Sequence, residues 1–180
     1  MKIANHIIAG CIALLPTSMV LAQSDQAVEF YEQGLAQNQV YKLVGASVSF
    51  TEAIGLYPEY AQAYYQRGLS FAGMGKQDHA IKDFNAAVGY KITELDPYLR
   101  LIAWHKERHQ YLAALLITDQ LIANMPENAA GGYYDKGQIY ELMGNSTLAV
   151  VAYKACLQRL EDEASDFANM LKHRISELQK

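Results

Sequence analysis

Residues 61–94 read AQAYYQRGLSFAGMGKQDHAIKDFNAAVGYKITE. Within that stretch Tyr64, Gly68, Phe71, Gly75, Ala80, Phe84 and Ala87 mark a pattern that returns along the chain. Ala46, Ala80, Ala114 and Ala149 stand 34, 34 and 35 residues apart. Gly34, Gly68 and Gly137 fall in the same register, as do Phe30, Tyr64, Tyr98 and Tyr133, and then Phe50, Phe84 and Tyr153. A fixed period near 34 with small and aromatic residues at set offsets specifies a helix–turn–helix solenoid. Small residues let antiparallel helices approach closely, and the aromatics fill the gaps between neighbours. One such unit cannot bury its apolar face alone, so units must stack.

The pattern resembles that of the tetratricopeptide repeat family. Residues 61–94 match every position except the closing proline, where Ile92 stands. Four units in phase are expected, 27–60, 61–94, 95–128 and 130–163, with 164–180 as a C-terminal capping helix. The resemblance implies an all-α, right-handed solenoid of four helix–turn–helix repeats. It implies function only as a class, because such arrays mostly bind other proteins.

Working outward from unit two, the first unit is expected to place one helix from Val28 to about Asn38, N-capped by Ser24 and Asp25. Its second helix runs roughly from Tyr41 to Tyr57 and stops at Pro58. In unit two the turn is Gly73–Lys76, and the second helix extends past its usual end toward Leu95. Asp96 then caps the next helix with Pro97 at its first position. Unit three is irregular: Ile102 replaces the small residue, His105 and Thr118 the aromatics. Trp104 is the only tryptophan and is expected to pack on a neighbouring helix. In the tail, Phe167, Met170, Leu171, Ile175 and Leu178 recur at helical spacing, as a cap needs.

Residues 1–22 read as a secretory signal peptide. They hold a short basic start, an apolar run from Ile7 to Leu15, then Pro16 and the small-residue end Val20-Leu21-Ala22. Cleavage after Ala22 would give an exported protein of a bacterial periplasm, an array over 23–163 and the cap over 164–180. A second reading takes Ile8-Ala9-Gly10-Cys11 as a lipobox, which makes an envelope lipoprotein anchored at Cys11.

Composition narrows the function. The chain has 180 residues, 51% hydrophobic, with a net charge of −4. That is too apolar for disorder and too acidic for a nucleic-acid partner. After cleavage Cys156 is the sole cysteine, at a small-residue packing position, so it reads as a buried, inert thiol. His105 and His109 stand four apart, the basis of an alternative reading as a metal-binding protein. Their H-x-E-x-H order is not that of zinc peptidases, and in the repeat frame they take a packing position and a turn. Asn145-Ser146-Thr147 fits a glycosylation triplet and reads more simply as a turn asparagine. No phosphate loop, activated nucleophile or carboxylate cluster is present in the sequence. The chain is therefore read as a non-enzyme without cofactor.

The binding expectation falls on the concave face, which the first helix of each unit lines in the tetratricopeptide family. The resemblance places Tyr31, Tyr65, Leu99 and Tyr134 at equivalent groove positions, followed one turn on by Leu35, Leu69, Ala103 and Gln138. Glu32, Gln66, Arg100 and Asp135 flank the first row, with Asn38, Lys106 and Glu141 further along. The Lys and Asn pattern of the clamps that hold acidic chaperone tails is largely missing here. A groove of Tyr31, Leu35, Tyr65, Leu69, Leu99, Arg100, Tyr134 and Gln138 suits an apolar or extended segment of a partner protein, or a partner helix. Scaffolding of an envelope complex, or self-association, is the alternative.

Overall fold

Gly or Pro stands where α2, α3, α4, α6 and α7 end, and between these breaks the apolar residues recur at helical spacing. The computed structural model describes residues 17–162 and 164–180, with side chains from residue 25 onward. Among the described residues there are nine α-helices and no strand. They are α1 Thr17–Gln39, α2 Leu43–Leu56, α3 Ala61–Gly73, α4 Gln77–Gly89 and α5 Asp96–Glu107, then α6 Tyr111–Asn124, α7 Ala129–Leu142, α8 Ser146–Leu157 and α9 Asp166–Leu178. Consecutive helices pack in pairs, and each pair packs on the next, so the solenoid expected from the period is the fold observed.

The turn inside each unit is the same. Helices α1, α3, α5 and α7 end at a residue in the left-handed region: Tyr41, Gly75, His109 and Gly144, with φ of 57°, 72°, 56° and 71°. The following amide then reaches back to close the helix, from Lys42 to the Gln37 carbonyl, Lys76 to Phe71, Gln110 to His105 and Asn145 to Tyr140, at 2.8–2.9 Å. Two of the four positions carry a Cβ where glycine is the unstrained choice. His109→Gly should therefore stabilise the fold by about 1 kcal/mol. Thermal unfolding should show this as a rise of roughly 2–4 °C.

The same motif corrects one expectation. Helix α4 does not run on toward Leu95; it stops at Gly89. Lys91 takes φ of 58°, and the Ile92 amide bonds the Ala87 carbonyl at 3.1 Å. The stop lets Ile92 turn inward, where it is buried beside Tyr98. Two expected caps also move. Helix α1 runs through Ser24 and Asp25, because no Gly or Pro interrupts 17–33. Asp96 is the first residue of α5 rather than its cap, and its carboxylate accepts from Arg100 and Tyr65 instead. Among the described residues the side-chain caps are Asn145, which accepts from the Leu148 amide, and Ser165, which accepts from the Ala168 amide. Of the expected leader, residues 1–16, with Cys11 and the lipobox, lie outside the described residues.

The single 35-residue interval has a local cause. The extra residue falls between Thr118 and Tyr133, where Pro126–Asn128 form one 3₁₀ turn before α7. No other inter-unit link among the described residues contains such a turn.

The core shows why glycine recurs. A Cβ on Gly34 would sit 2.5 Å from the Phe50 ring, one on Gly68 2.5 Å from Phe84, and one on Gly137 2.2 Å from Tyr153. In unit three the equivalent positions hold Ile102 and Thr118, both buried. Bulk has moved from one helix of the pair to the other, and the Thr118 hydroxyl returns its hydrogen to the Ala114 carbonyl at 2.8 Å. Trp104 stacks on Phe84 of the preceding unit, 5.6 Å between centroids and 18° between planes. Cys156 is fully buried, and burial pushes its thiol above the ordinary range.

Candidate functional site

The first helices α1, α3, α5 and α7 carry the residues expected to line the groove, and α9 follows them as the next in line. Polar side chains link successive members of this row. Ser70 donates to Asn38 at 2.9 Å, joining α3 to α1. The Tyr65 hydroxyl donates to Asp96 at 3.1 Å, joining α3 to α5. Lys106 donates to Gln138 at 2.8 Å and stands 3.9 Å from Asp135, joining α5 to α7. Arg174 donates to both oxygens of Glu141, joining α9 to α7.

The expected groove residues are thus partly held by their own neighbours. Tyr31 is half-buried, its ring 5.0 Å from Tyr60 and 5.7 Å from Phe50. Burial, with Tyr60 and nearby glutamates behind it, pushes its hydroxyl up to about 12. Tyr65 rests its ring 5.9 Å from Phe84, and burial followed by the Asp96 charge pushes its hydroxyl up to about 12 as well. Arg100 bonds Asp96 at 2.5 Å one turn back on its own helix. Leu35 and Leu69 are half-buried, and Leu69 packs on the central core. Leu99 is 44% exposed and lines a small hollow of about 190 Å³ with Leu95, Leu121 and Asp135.

Tyr134 and Gln138 are brought together in a larger space. A cleft of about 580 Å³ lies between α7 and α9, lined by Tyr134, Gln138, Glu141 and Leu142 of α7, by Tyr153 of α8, and by Lys106 of α5. Helix α9 supplies the other wall through Met170, Leu171 and Arg174. The Tyr134 ring meets Phe167 edge-on at 5.2 Å and lies 6.0 Å from Tyr153. Sequence reasoning assigned Phe167 and Met170 to the apolar side of the cap. Leu171 and Ile175, expected with them, do face the core beside Ala168, whereas Phe167 and Met170 are 38% and 48% exposed at the cleft side. Helical spacing shows that these residues are near one another on a helix. It does not contain the angle at which α9 docks, which decides which of them face the groove.

The charges of the cleft are arranged in closed pairs. Glu141 accepts from Arg174 and, at 2.5 Å, from the Tyr153 hydroxyl. Those hydrogen bonds, Arg174 first, hold the Glu141 carboxyl below its ordinary value near 4.5. Burial and the bond to Glu141 push the Tyr153 hydroxyl well up. Burial also raises Asp135, against the pull of Lys106. Because the folded Glu141 binds its proton more weakly than the unfolded chain does, its contribution is complete above about pH 4.5. It fades as pH falls through the lower folded value. The stability gap between wild type and Glu141→Gln should accordingly be constant near neutrality and close below about pH 4.5. Melts of both proteins across that range measure it.

The two histidines have separate partners. Helix α5 ends at Glu107, and His109 sits beyond it in the left-handed turn. His105 Nδ1 faces Gln110 at 2.8 Å and His109 Nδ1 faces the Tyr111 hydroxyl at 2.8 Å. Among the described residues no group of three or more His, Cys, Asp or Glu is placed to hold a metal.

The profile of the tetratricopeptide repeat matches residues 61–91 and 130–159, the second and fourth helix pairs. Helices α3–α4 and α7–α8 are tetratricopeptide repeats. No curated protein matches it in sequence at a significant level. Among solved structures it is similar to a crystal structure of MamA, with 18% identity over 86% of this chain and 87% of that one, and a TM-score of 0.61. It is also similar to YrrB, described as a TPR protein with an unusual peptide-binding site, with 15% identity over 91% of each chain and a TM-score of 0.59. The pilF protein of Pseudomonas aeruginosa is similar at 13% identity over 87% of this chain and 69% of that one, with a TM-score of 0.57. These likenesses establish the shared fold. Among the described residues, no helix is long and apolar enough to cross a membrane.

Proposed function

We propose that the chain is a non-catalytic, exported adaptor that holds a segment of a partner protein on its concave face. The fold supports the class, since solenoids of this kind offer an extended surface for other proteins. The observation that carries the site is the cleft between α7 and α9, large enough for a short run of side chains and walled by Tyr134, Leu142 and Met170. The peptide-binding site described for YrrB is consistent with this use of the fold. Export rests on the leader-like residues 1–22, and places the adaptor in a periplasm.

The test is a crosslinking pull-down from the native cell envelope, with the chain from Gln23 onward as bait and the Tyr65→Ala, Tyr134→Ala variant as control. Circular dichroism first establishes that the variant is folded. A partner enriched by wild type and lost with the variant is the expected result. A partner held equally by both would remove the concave face as the site.

The scaffold reading draws on a different surface. Val44 and Val48 of α2, and Leu112 and Leu116 of α6, are exposed pairs one turn apart, while α4 carries Asp78 and Lys82 at the equivalent places. A contact retained by the groove variant and lost on Leu112→Lys, Leu116→Lys would favour that second reading.

A further inference from the structure

We infer that the cleft between α7 and α9 takes an uncharged, apolar stretch of polypeptide rather than a charged chain end or a charged motif. This rests on the concave-face reading and narrows it to one ligand chemistry.

Each charged group of the cleft already has partners within the chain. Arg174 directs Nε and Nη2 at Glu141 and Nη1 at Glu177. Glu141 accepts from Arg174 on both oxygens and from Tyr153 on one. Lys106 donates to Gln138 and lies near Asp135. Each cation lining the cleft therefore has an anion of the same chain beside it.

An incoming carboxylate at Arg174 would have to share it with Glu141 and Glu177, and one at Lys106 would stand beside Asp135, so each meets an acid already in place. Those acids are poorly placed to face a second negative charge: Glu141 and Asp135 side chains are 18% and 20% exposed. Burial already disfavours the charged form of Asp135. An incoming ammonium meets the reverse problem, since the Glu141 oxygens are occupied. Like charges brought together at partly covered acids repel, which offsets what the new contact returns.

The remaining surface is apolar. Tyr134, Leu142, Met170 and Leu171 face the space, and Leu142 and Met170 are about half exposed with no partner to cover them. Two neutral polar groups are left to meet a main chain. The Tyr134 hydroxyl has no hydrogen bond among the described residues, and the Gln138 carboxamide uses its oxygen on Lys106 and keeps its nitrogen. An extended segment with apolar side chains and an uncharged backbone fits both features. Helix α9 forms half of this site, so the cap is part of the recognition surface as well as the end of the core.

The experiment is a selection of short linear peptides, displayed with both ends masked, against the whole chain. The enriched sequence is then made as an acetylated, amidated peptide and titrated. Uncharged apolar sequences should be enriched. Their affinity should change by less than about twofold between about 0.01 M and 1 M salt, where the Debye length falls from about 30 Å to about 3 Å. Leu142→Glu and Met170→Glu, both at the exposed rim, should each weaken binding by about tenfold or more. Acidic or basic enriched sequences, weakened about tenfold by the same salt increase yet still lost in Leu142→Glu, would overturn the uncharged ligand and leave the concave site standing. Apolar peptides that bind both variants as tightly as wild type would overturn the site itself. Failure to enrich any sequence over the Leu142→Glu counter-selection would overturn the proposal too.

Discussion

Gly68→Ala should destabilise the protein by about 2–3 kcal/mol, although it adds one methyl group. The new Cβ would lie 2.5 Å from Phe84 Cε1 and 2.7 Å from Cδ1. The ring cannot easily retreat, because Tyr65 packs on it at 5.9 Å and Trp104 stacks on it at 5.6 Å. Phe84 itself is fully buried. Overpacking of this kind is relieved by backbone shift, and here the shift would pass straight to the neighbouring repeats. Thermal melting should fall by roughly 4–12 °C. Adding Phe84→Leu to Gly68→Ala makes room, so the double variant should be more stable than the two single effects added together. Simple additivity would show that the glycine is there for backbone conformation and not for the ring.

Leu171→Ala should have an effect of similar size, about 3 kcal/mol, with a different reach. Leu171 is fully buried and holds α9 on the last repeat together with Ala168 and Ile175. In an array where each unit touches only its neighbours, loss at the end need not travel far. Amide exchange should therefore quicken across 166–178 and in α8 while α3 and α4 keep their protection. Because Leu171 also lines the cleft, binding at that end should weaken in parallel. Equal loss of protection in all units would mean that the solenoid unfolds as one body.

These two cases mark where the sequence was legible. The glycine–aromatic pairs could be seen as recurring letters, and their contact follows from the repeat. The exchange in unit three could not. Ile102 and Thr118 each look like a departure when positions are taken singly, and only the packed structure shows a large residue facing the place of a small one. The early stop of α4 was hidden for another reason. Lys91 adopts a backbone conformation that its side chain disfavours, held there by the burial of Ile92. Ser24 and Asp25 misled because capping residues are also tolerated inside a helix that has no cause to start later. In the candidate site, Tyr134 and Gln138 were reachable from repeat register. Tyr153, Met170, Leu171 and Arg174 were not, because they enter the cleft through the docking of α8 and α9.

The polar links along the inner row have a mechanical consequence. Each of them, Asn38–Ser70, Tyr65–Asp96, Lys106–Gln138 and Glu141–Arg174, crosses one boundary between neighbours and no more. Pulled from its two ends, the molecule carries load through these fasteners in series, so the weakest gives way first and the rest hold. Extension should proceed in steps of one repeat, releasing about 34 residues or roughly 110–120 Å of chain each time. Such a protein yields under strain by lengthening a unit at a time, and the units that have not opened keep their shape.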